Sequence, residues 1–276
     1  MPQQGPRRPR DAELRTVTVG GRTLRVSVRP GDGTLTPLLL MNGIGASLEV
    51  LQPFVDALDP RREVIRFDVP GVGGSPRPVM PYTMVTFAPV VAGLLNRLGH
   101  REAVDVLGFS WGGGLAQQFA VQHRRRCRRL VLAATGTGSL MVPAHPRVLS
   151  RMMTPRRHRD AGYARSIAGE IYGGTMRDHP ERAAQALHAQ SRLGPRRGYY
   201  YQLAAGTGWS SLPLLRMIRQ PTLVLAGDDD PIIPEVNPRL MARLIPDAQL
   251  HLYRGGHLAL VTEARELAPV VDRFLS

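Results

Sequence analysis

The feature that most constrains this sequence is a serine between two glycines, at a predicted junction of a strand and a helix. The segment Gly108-Phe109-Ser110-Trp111-Gly112 overlaps an apolar run at 103–109, typical of a buried strand, and precedes a predicted helix at 115–123. The two glycines permit the sharp turn that crowding between strand and helix requires. A serine at such a turn becomes nucleophilic when a base lies beside it, so Ser110 is the predicted nucleophile. The alternative interpretation is an ordinary turn.

Short apolar runs and longer helical patterns alternate along much of the rest of the chain. This alternation predicts an α/β fold with a mostly parallel eight-stranded sheet and helices on both faces. The first two strands are predicted to form an antiparallel hairpin around Gly20-Gly21. The predicted strands cover 14–19, 23–29, 37–41, 63–67, 103–109, 130–134, 221–226 and 249–253, and the predicted helices cover 48–58, 82–98, 115–123, 235–244 and 262–275.

The alternation weakens between 135 and about 215, where arginine, glycine and methionine are frequent. We expect this region to be an insertion that forms a lid over the carboxyl ends of the strands, because open α/β sheets carry their sites there. The predicted organisation is a disordered basic tail at 1–12, a core at 13–138, a lid at 139–215 and the second part of the core at 216–276.

A nucleophilic serine needs a base and a group that orients the base. A late predicted strand runs into three successive acids. The pattern G-x-x-D-x-I-x-P is the usual form of this turn in the predicted fold, and it favours Asp230 as the orienting acid. Asp228 and Asp229 are expected to cap or solvate the loop. His257 follows the last predicted strand, after two glycines that allow the loop to bring the imidazole over Ser110. The predicted catalytic residues are therefore Ser110, Asp230 and His257.

An ester carbonyl that is attacked by a serine becomes an oxyanion, which needs preorganised backbone donors. One predicted donor is the N–H of Trp111, directly after the nucleophile. The other is the N–H of Ile44, in the loop after the strand at 37–41, where Gly43 and Gly45 allow the backbone to approach a substrate. A plain turn is the alternative interpretation of that loop. The predicted chemistry is acyl transfer through an acyl-enzyme.

Composition excludes several other classes of protein. The formal net charge is +14 and every basic residue is arginine, a balance that would suit binding to nucleic acid. No nucleic-acid-binding module is present, however, and aromatic residues are only 5%, so we do not expect nucleic acid as a partner. No stretch approaches the ~20 apolar residues of a membrane span, and no secretory signal, metal-ligand spacing or cofactor motif is found. We therefore expect neither a metal nor a cofactor, and the single cysteine is consistent with a cytoplasmic protein.

Seven segments resemble one known family. They are TPLLLMNGIGASLEV (36–50), VIRFDVPGVGGS (64–75), LGFSWGGGLAQQFA (107–120), RLVLAATGTG (129–138), IYGGTMRDHPE (171–181), QPTLVLAGDDDPIIP (220–234) and GGHLALVT (255–262). With them the chain resembles the intracellular, medium-chain-length type of poly(3-hydroxyalkanoate) depolymerase within the α/β-hydrolases. The Asn42-Gly43 loop, where many relatives carry His-Gly, the segment at 171–174 and the segment at 198–201 are the more discriminating parts of the resemblance.

The resemblance implies an α/β-hydrolase fold, with Ser110, Asp230 and His257 as the triad. It also implies storage-polyester granules in the cytoplasm as substrate and location, with granule-coat proteins as candidate partners. Apolar residues of the predicted lid are candidates for contact with a water-insoluble polyester, and a small core of the lid itself is the alternative interpretation of them. They are Met141, Met152, Met153, Ile167, Ile171, Tyr172 and Tyr199–Tyr201. The positive charge of the lid is compatible with an anionic granule coat.

Two other functions remain open from the residues. A carboxylesterase, lactonase or acyltransferase acting on a small soluble ester or thioester would share every catalytic residue, with the lid closed over a pocket. A catalytically silent protein that works as a granule coat or scaffold is a different class. The three predicted catalytic residues argue against that class.

Overall fold

The computed structural model describes residues 12–188 and 192–276, so all but one residue of the predicted basic tail lies outside the described residues. Eight strands form one sheet in the order β1-β2-β4-β3-β5-β6-β7-β8. The predicted fold class is confirmed. The strands are β1 Glu13–Val19, β2 Arg22–Arg29, β3 Leu38–Met41, β4 Val64–Phe67, β5 Val104–Phe109, β6 Cys127–Ala133, β7 Thr222–Gly227 and β8 Ala248–Tyr253.

The helices follow the strands in the alternation expected from the sequence. They are α1 Gln52–Ala57, α2 Met84–Arg97, α3 Trp111–Gln122, α4 Pro146–Met152, α5 Ala161–Tyr172, α6 Glu181–His188, α7 Arg196–Gly206, α8 Val236–Leu244, α9 Ala259–Thr262 and α10 Ala264–Leu275, with short 3₁₀ turns between some of them. Thr83 begins α2 with a capping box, and the helix continues through Pro89. Among the described residues, no helix is both long and apolar enough to cross a membrane.

The serine before the predicted helix at 48–58, Ser47, is the N-cap that the residue type predicts, and this prediction is wrong. The segment after β3 begins with a 3₁₀ turn at Leu48–Leu51, and Ser47 makes no side-chain cap to it. The Ser47 hydroxyl instead accepts a hydrogen bond of 3.2 Å from the N–H of Arg192, in the segment between α6 and α7. A partner far away in sequence therefore replaces the local cap that the residue type favours.

The antiparallel hairpin β1–β2 lies at one edge of the sheet, β2 pairs antiparallel with β4, and the remaining strands are parallel. The register aligns Met41 of β3 with Gly108 of β5, and Phe109 of β5 with Ala133 of β6. Parallel strands with this alignment end at the same edge of the sheet. The loops after β3, β5, β7 and β8 therefore meet there.

The apolar core has two layers, one on each face of the sheet. Leu38 and Leu40 of β3 pack into the layer that contains α1, α9 and α10, whereas Leu39 and Met41 pack into the layer that contains α2, α3 and α8. All four residues of β3 are buried. A strand that is covered on both faces favours apolar residues at successive positions, which explains the continuous run PLLLM in the sequence.

The region between β6 and β7 holds helices α4 to α7 and forms no strand of the sheet within the described residues. We call residues 139–215 the helical insertion. Ile167 and Ile171 of α5 are buried in the layer that contains α1 and α10. The helical insertion thus shares its apolar core with the sheet domain.

A buried ionic cluster lies at the opposite end of β5 from Ser110. The Asp105 carboxylate is fully buried and accepts hydrogen bonds from Arg62 at 3.2 Å and from Arg128 at 2.7 and 2.8 Å. Arg62 is 1% exposed. Removing one partner of such a buried cluster leaves a charge without compensation.

We predict that Asp105→Ala lowers the free energy of unfolding by about 3 kcal/mol, because the buried Arg62 guanidinium keeps only Asp272 as a carboxylate partner and Arg128 loses its salt bridge to Asp105. Glu13→Ala is the matched control, since Glu13 pairs with Arg15 on the surface, where such pairs contribute less than about 1 kcal/mol. Urea denaturation of the three proteins measures both differences. Equal effects of the two substitutions would contradict the prediction.

Candidate active site

Ser110 lies at the tip of the turn between β5 and α3, in a backbone conformation that non-glycine residues rarely adopt, with φ 53° and ψ −119°. A Cβ on Gly108 would lie 2.4 Å from the carbonyl oxygen of Gly112, and a Cβ on Gly112 would lie 2.2 Å from the carbonyl oxygen of Met41. Both contacts are too short for any side chain. Glycine is therefore required at 108 and at 112, as the sequence predicts, because β3, β5 and α3 approach closely there.

The structure brings Ser110, His257 and Asp230 together from three separate loops. His257 Nε2 lies 3.0 Å from the Ser110 Oγ, and His257 Nδ1 lies 2.8 Å from the Asp230 Oδ2. His257 is 4% and Asp230 7% exposed. Because an ionised carboxylate only accepts hydrogen bonds, Nδ1 carries the hydrogen and Nε2 is free to accept the serine proton. The arrangement can therefore activate the serine hydroxyl.

The second oxygen of Asp230 is held by the backbone. Oδ1 accepts hydrogen bonds from the N–H groups of Ile232 and Ile233, at 2.9 and 3.0 Å. This tight turn follows directly from the segment 227–234. It leaves Oδ2 facing the imidazole in one orientation, which is what a group that orients a base must do.

His257 is positioned by a contact with the helical insertion that the sequence did not indicate. Its backbone N–H donates to the carbonyl oxygen of Tyr172 at 2.7 Å, and a Cβ on Gly256 would lie 1.9 Å from that same oxygen. The Tyr172 and His257 rings are stacked, with their centroids 6.5 Å apart. The end of α5 therefore fixes the histidine loop, and glycine at 256 permits the approach.

The two neighbouring acids do not face the histidine ring. Asp228 Oδ1 accepts a hydrogen bond of 3.0 Å from the N–H of Gly255. Asp229 accepts two hydrogen bonds from the Arg177 guanidinium, at 2.6 and 2.7 Å, and one of 2.7 Å from the N–H of Gly174. Asp228 thus binds the loop that carries His257 rather than its own loop, and Asp229 ties the helical insertion to the sheet domain.

Ile44, in the loop after β3, lines the same cavity as Ser110. Asn42 Oδ1 accepts from the N–H of Gly43 at 2.8 Å, Asn42 Nδ2 donates to the carbonyl of Ser47 at 2.7 Å, and the N–H of Gly45 donates to Gln202 Oε1 at 2.7 Å. Within the described part of the chain, the N–H groups of Ile44 and Trp111 donate no hydrogen bond. These two groups are available to an oxyanion.

A small cavity opens beside Ser110 and His257. Most of its wall is apolar, but three polar side chains from the helical insertion also line it. The lining residues are Gly43, Ile44, Ala46, Val50, Phe109, Ser110, Met152, Arg157, His158, Tyr172, Leu187, Ile232, His257 and Leu258. Arg157 and His158 were not predicted as site residues. The insertion has no regular apolar period from which their position beside Ser110 could be inferred.

The protonation of the cavity follows from burial. Burial, and next the charge of Arg157, hold the pKa of His158 well below its usual value, so His158 is neutral at neutral pH. Burial raises the pKa of Tyr172 to about 12, so its hydroxyl keeps its proton. Among the residues that the structure describes, no group of three His, Cys, Asp or Glu side chains is arranged to hold a metal ion.

Comparison with known proteins places the chain in a family. Residues 36–264 match the family model described as the alpha/beta hydrolase fold. The chain belongs to the α/β-hydrolase family. Within that family, this hydrolase is 52% identical to the poly(3-hydroxyalkanoate) depolymerase of Ectopseudomonas oleovorans, over 95% of this chain and 92% of the relative. The resemblance seen in the sequence is thus confirmed.

Solved structures agree with the fold. A thermophilic esterase from Thermogutta terrifontis has a TM-score of 0.79 at 26% identity, with coverage of 96% of this chain and 98% of that chain. The enol-lactonase from Burkholderia xenovorans LB400 also has a TM-score of 0.79, at 24% identity, with coverage of 95% and 99%. The shared architecture spans almost the entire hydrolase.

We predict that Asp230→Asn lowers kcat for p-nitrophenyl octanoate by about 10³–10⁴-fold, because an amide at this position no longer holds the imidazole in the reactive tautomer. Asp229→Asn is the matched control, with an expected decrease of less than about tenfold. Steady-state kinetics of the two variants test whether Asp230 or Asp229 orients His257. If Asp229→Asn were the more damaging substitution, the role given to Asp230 would be wrong.

We also predict a pH-dependent effect of Asp229→Asn on stability. The hydrogen bonds from Arg177 lower the pKa of Asp229, so the ion pair stabilises the protein above the usual aspartate pKa and loses this effect as the pH falls through the lowered value. Because both side chains are partly exposed, the difference at pH 7 is less than about 1 kcal/mol. Denaturant titrations at pH 7 and in acid should show the difference shrinking in acid; a constant difference would contradict this.

Proposed function

We propose that this hydrolase is a serine esterase that cleaves the ester bonds of poly(3-hydroxyalkanoate). The observation that supports this chemistry is the pair of hydrogen bonds that join His257 to Ser110 and to Asp230. Ser110 lies at the sharp turn after β5. The 52% identity to a poly(3-hydroxyalkanoate) depolymerase over nearly the full length of both chains supports the substrate.

The proposed reaction has two halves. His257 Nε2 takes the proton of the Ser110 hydroxyl while Oγ attacks the ester carbonyl, and the imidazolium then gives that proton to the departing alcohol. A water molecule, deprotonated by His257, hydrolyses the acyl-enzyme and restores the serine. Asp230 stabilises the imidazolium in both halves and keeps Nδ1 protonated.

The oxyanion of each tetrahedral intermediate is proposed to lie between the N–H groups of Ile44 and Trp111. Both belong to backbone that is fixed by other contacts, namely the side chains of Asn42 and Gln202 for the first loop and the start of α3 for the second. Donors that are fixed before the reaction need no reorganisation when charge develops. Replacement of the common His-Gly by Asn42-Gly43 is compatible with this role because the donor is a backbone group.

We propose that the helical insertion, 139–215, acts as a lid between the two parts of the core, 13–138 and 216–276. It covers the cavity beside Ser110, and of the candidate contact residues it exposes Met153 at 59% and Tyr200 at 45%. The other candidates Ile167, Ile171, Tyr172 and Tyr199 are buried, so they form part of the core instead. Exposed apolar residues on a cover over the site suit contact with a water-insoluble polyester. The proposed location is accordingly the surface of storage granules in the cytoplasm, with granule-coat proteins as candidate partners.

A carboxylesterase, lactonase or acyltransferase that acts on a small soluble molecule is the second candidate function. The observation in its favour is the small, mostly apolar cavity beside Ser110, which side chains of the helical insertion such as Met152 and Leu187 line. It would use the same Ser110, His257 and Asp230.

The decisive experiment measures hydrolysis of two substrates by the purified protein, an emulsion of medium-chain poly(3-hydroxyalkanoate) and soluble p-nitrophenyl octanoate. We predict release of hydroxy acids from the emulsion, and loss of activity on both substrates in Ser110→Ala, because the nucleophile is removed. The denaturation midpoint of Ser110→Ala should stay within the range of surface substitutions, which shows that the variant is folded.

The other outcomes separate the alternatives. Activity on the soluble ester alone would contradict the polymer substrate and favour the small-molecule enzyme. No hydrolysis of either substrate, together with binding to the emulsion, would favour a catalytically silent scaffold.

A further inference from the structure

The cavity beside Ser110 contains a positive charge that the proposed ester chemistry does not use. Arg157 lies in the short 3₁₀ turn Pro155–His158 before α5, is 2% exposed and lines the same cavity as Ser110 and His257. An arginine buried this deeply is uncommon unless a partner compensates its charge.

The partners of Arg157 within the described residues are neutral. Its Nη1 donates to the Tyr199 hydroxyl at 2.8 Å and, more weakly, to the carbonyl of Thr154 at 3.5 Å. The guanidinium also lies 5.4 Å from the centroid of the Tyr199 ring. No carboxylate of residues 12–188 or 192–276 forms a salt bridge with it. The charge is therefore held in place by Tyr199 but is not neutralised.

Two further polar atoms on the same wall lack a partner. The hydroxyl of Tyr172, a residue that is 2% exposed, lies close to the Arg157 guanidinium. Neither this hydroxyl nor the Nε2 of His158, which is 7% exposed, meets a partner with the geometry of a hydrogen bond in the described part of the chain. Buried polar groups are normally satisfied, and a cluster of unsatisfied ones indicates a ligand that completes them. Because His158 is neutral, the positive charge at this wall comes from Arg157.

We propose that Arg157 and Tyr172 form a subsite for the free carboxylate of a hydroxy acid, either at the end of an oligomer or in the released monomer. A planar guanidinium matches a carboxylate in geometry and charge, and the protonated Tyr172 hydroxyl supplies a second donor. An internal ester of the polymer is neutral and would leave the Arg157 charge without compensation. This inference rests on the serine-esterase function proposed above and deepens it.

For an oligomer, the subsite places the carboxyl end of the chain in the cavity. Ser110 Oγ forms a bond to the carbonyl carbon of the last ester, the bond from that carbon to the oxygen of the terminal hydroxy acid breaks, and His257 gives that oxygen the proton taken from Ser110. Water then releases the remaining oligomer from the serine.

The first test measures binding to the full-length Ser110→Ala protein by calorimetry, which needs no catalytic activity. We expect 3-hydroxyoctanoate to bind at least about tenfold more tightly than 3-hydroxyoctanamide, its neutral counterpart, at pH 7.5. Equal affinities for the acid and the amide would overturn the subsite.

Variants in the Ser110→Ala background assign the effect to residues. Arg157→Gln should remove the preference for the acid, and Tyr172→Phe should reduce it several-fold with little effect on folding, because that hydroxyl meets no partner with the geometry of a hydrogen bond within the described residues. Arg156→Gln is the matched control, since the Arg156 side chain is 62% exposed and pairs with Asp160. If Arg157→Gln lowered stability but kept the preference for the acid, Arg157 would be a structural residue only. If Arg157→Gln failed to fold, a reduced preference in Tyr172→Phe would support the subsite, and an unchanged preference would overturn it.

The second test distinguishes the two sources of the carboxylate. A 3-hydroxyoctanoate trimer with a free carboxyl end is compared with the same trimer amidated at that end, using kcat/KM of the unmodified serine enzyme. A preference of about tenfold for the free end, lost in Arg157→Gln, assigns the subsite to chain ends. Equal kcat/KM values, with tight binding of the monomer acid, assign it to the released product. Failure to hydrolyse the polymer emulsion would instead contradict the proposed substrate and leave the binding test valid.

Discussion

The structure depends on a close approach of backbone at the end of β3, where Gly112 packs against the carbonyl oxygen of Met41 and Gly108 packs against the first turn of α3. No side chain fits at either contact. The approach holds Ser110 in its unusual conformation and brings the loop after β3 next to the serine. A nucleophile and the two proposed oxyanion donors are thereby fixed by packing rather than by flexible side chains, so little reorganisation is needed when charge develops.

The helical insertion takes part in the site as well as covering it. It contacts the catalytic loops at three points: the carbonyl of Tyr172 accepts from the N–H of His257, Gln202 holds the N–H of Gly45, and Arg177 pairs with Asp229. Each contact reaches a loop that carries, or adjoins, a proposed catalytic group. The helical insertion therefore helps to fix the geometry of the loops that carry His257 and Ile44.

The buried charges at the two ends of β5 differ in whether they have partners of opposite charge. At the end away from Ser110, Asp105 is compensated by Arg62 and Arg128, and the cluster is complete. At the other end, within the described residues, Arg157 faces the cavity with neutral partners only. A complete cluster contributes to the fold, whereas an incomplete one indicates what the cavity is built to receive. The contrast is the reason for assigning a carboxylate to that wall.

The sequence by itself determined the α/β class, the eight strands and the positions of Ser110, Asp230 and His257 after strand ends, because period, glycine spacing and turn chemistry are local properties. The family resemblance gave the hydrolase assignment, which the comparisons confirmed. Only the tertiary structure decided that Ser47 contacts Arg192 instead of capping a helix, that Asp229 pairs with Arg177, and that Arg157 and His158 line the cavity. These contacts join residues far apart in sequence through an insertion without regular periodicity, so no local pattern encodes them.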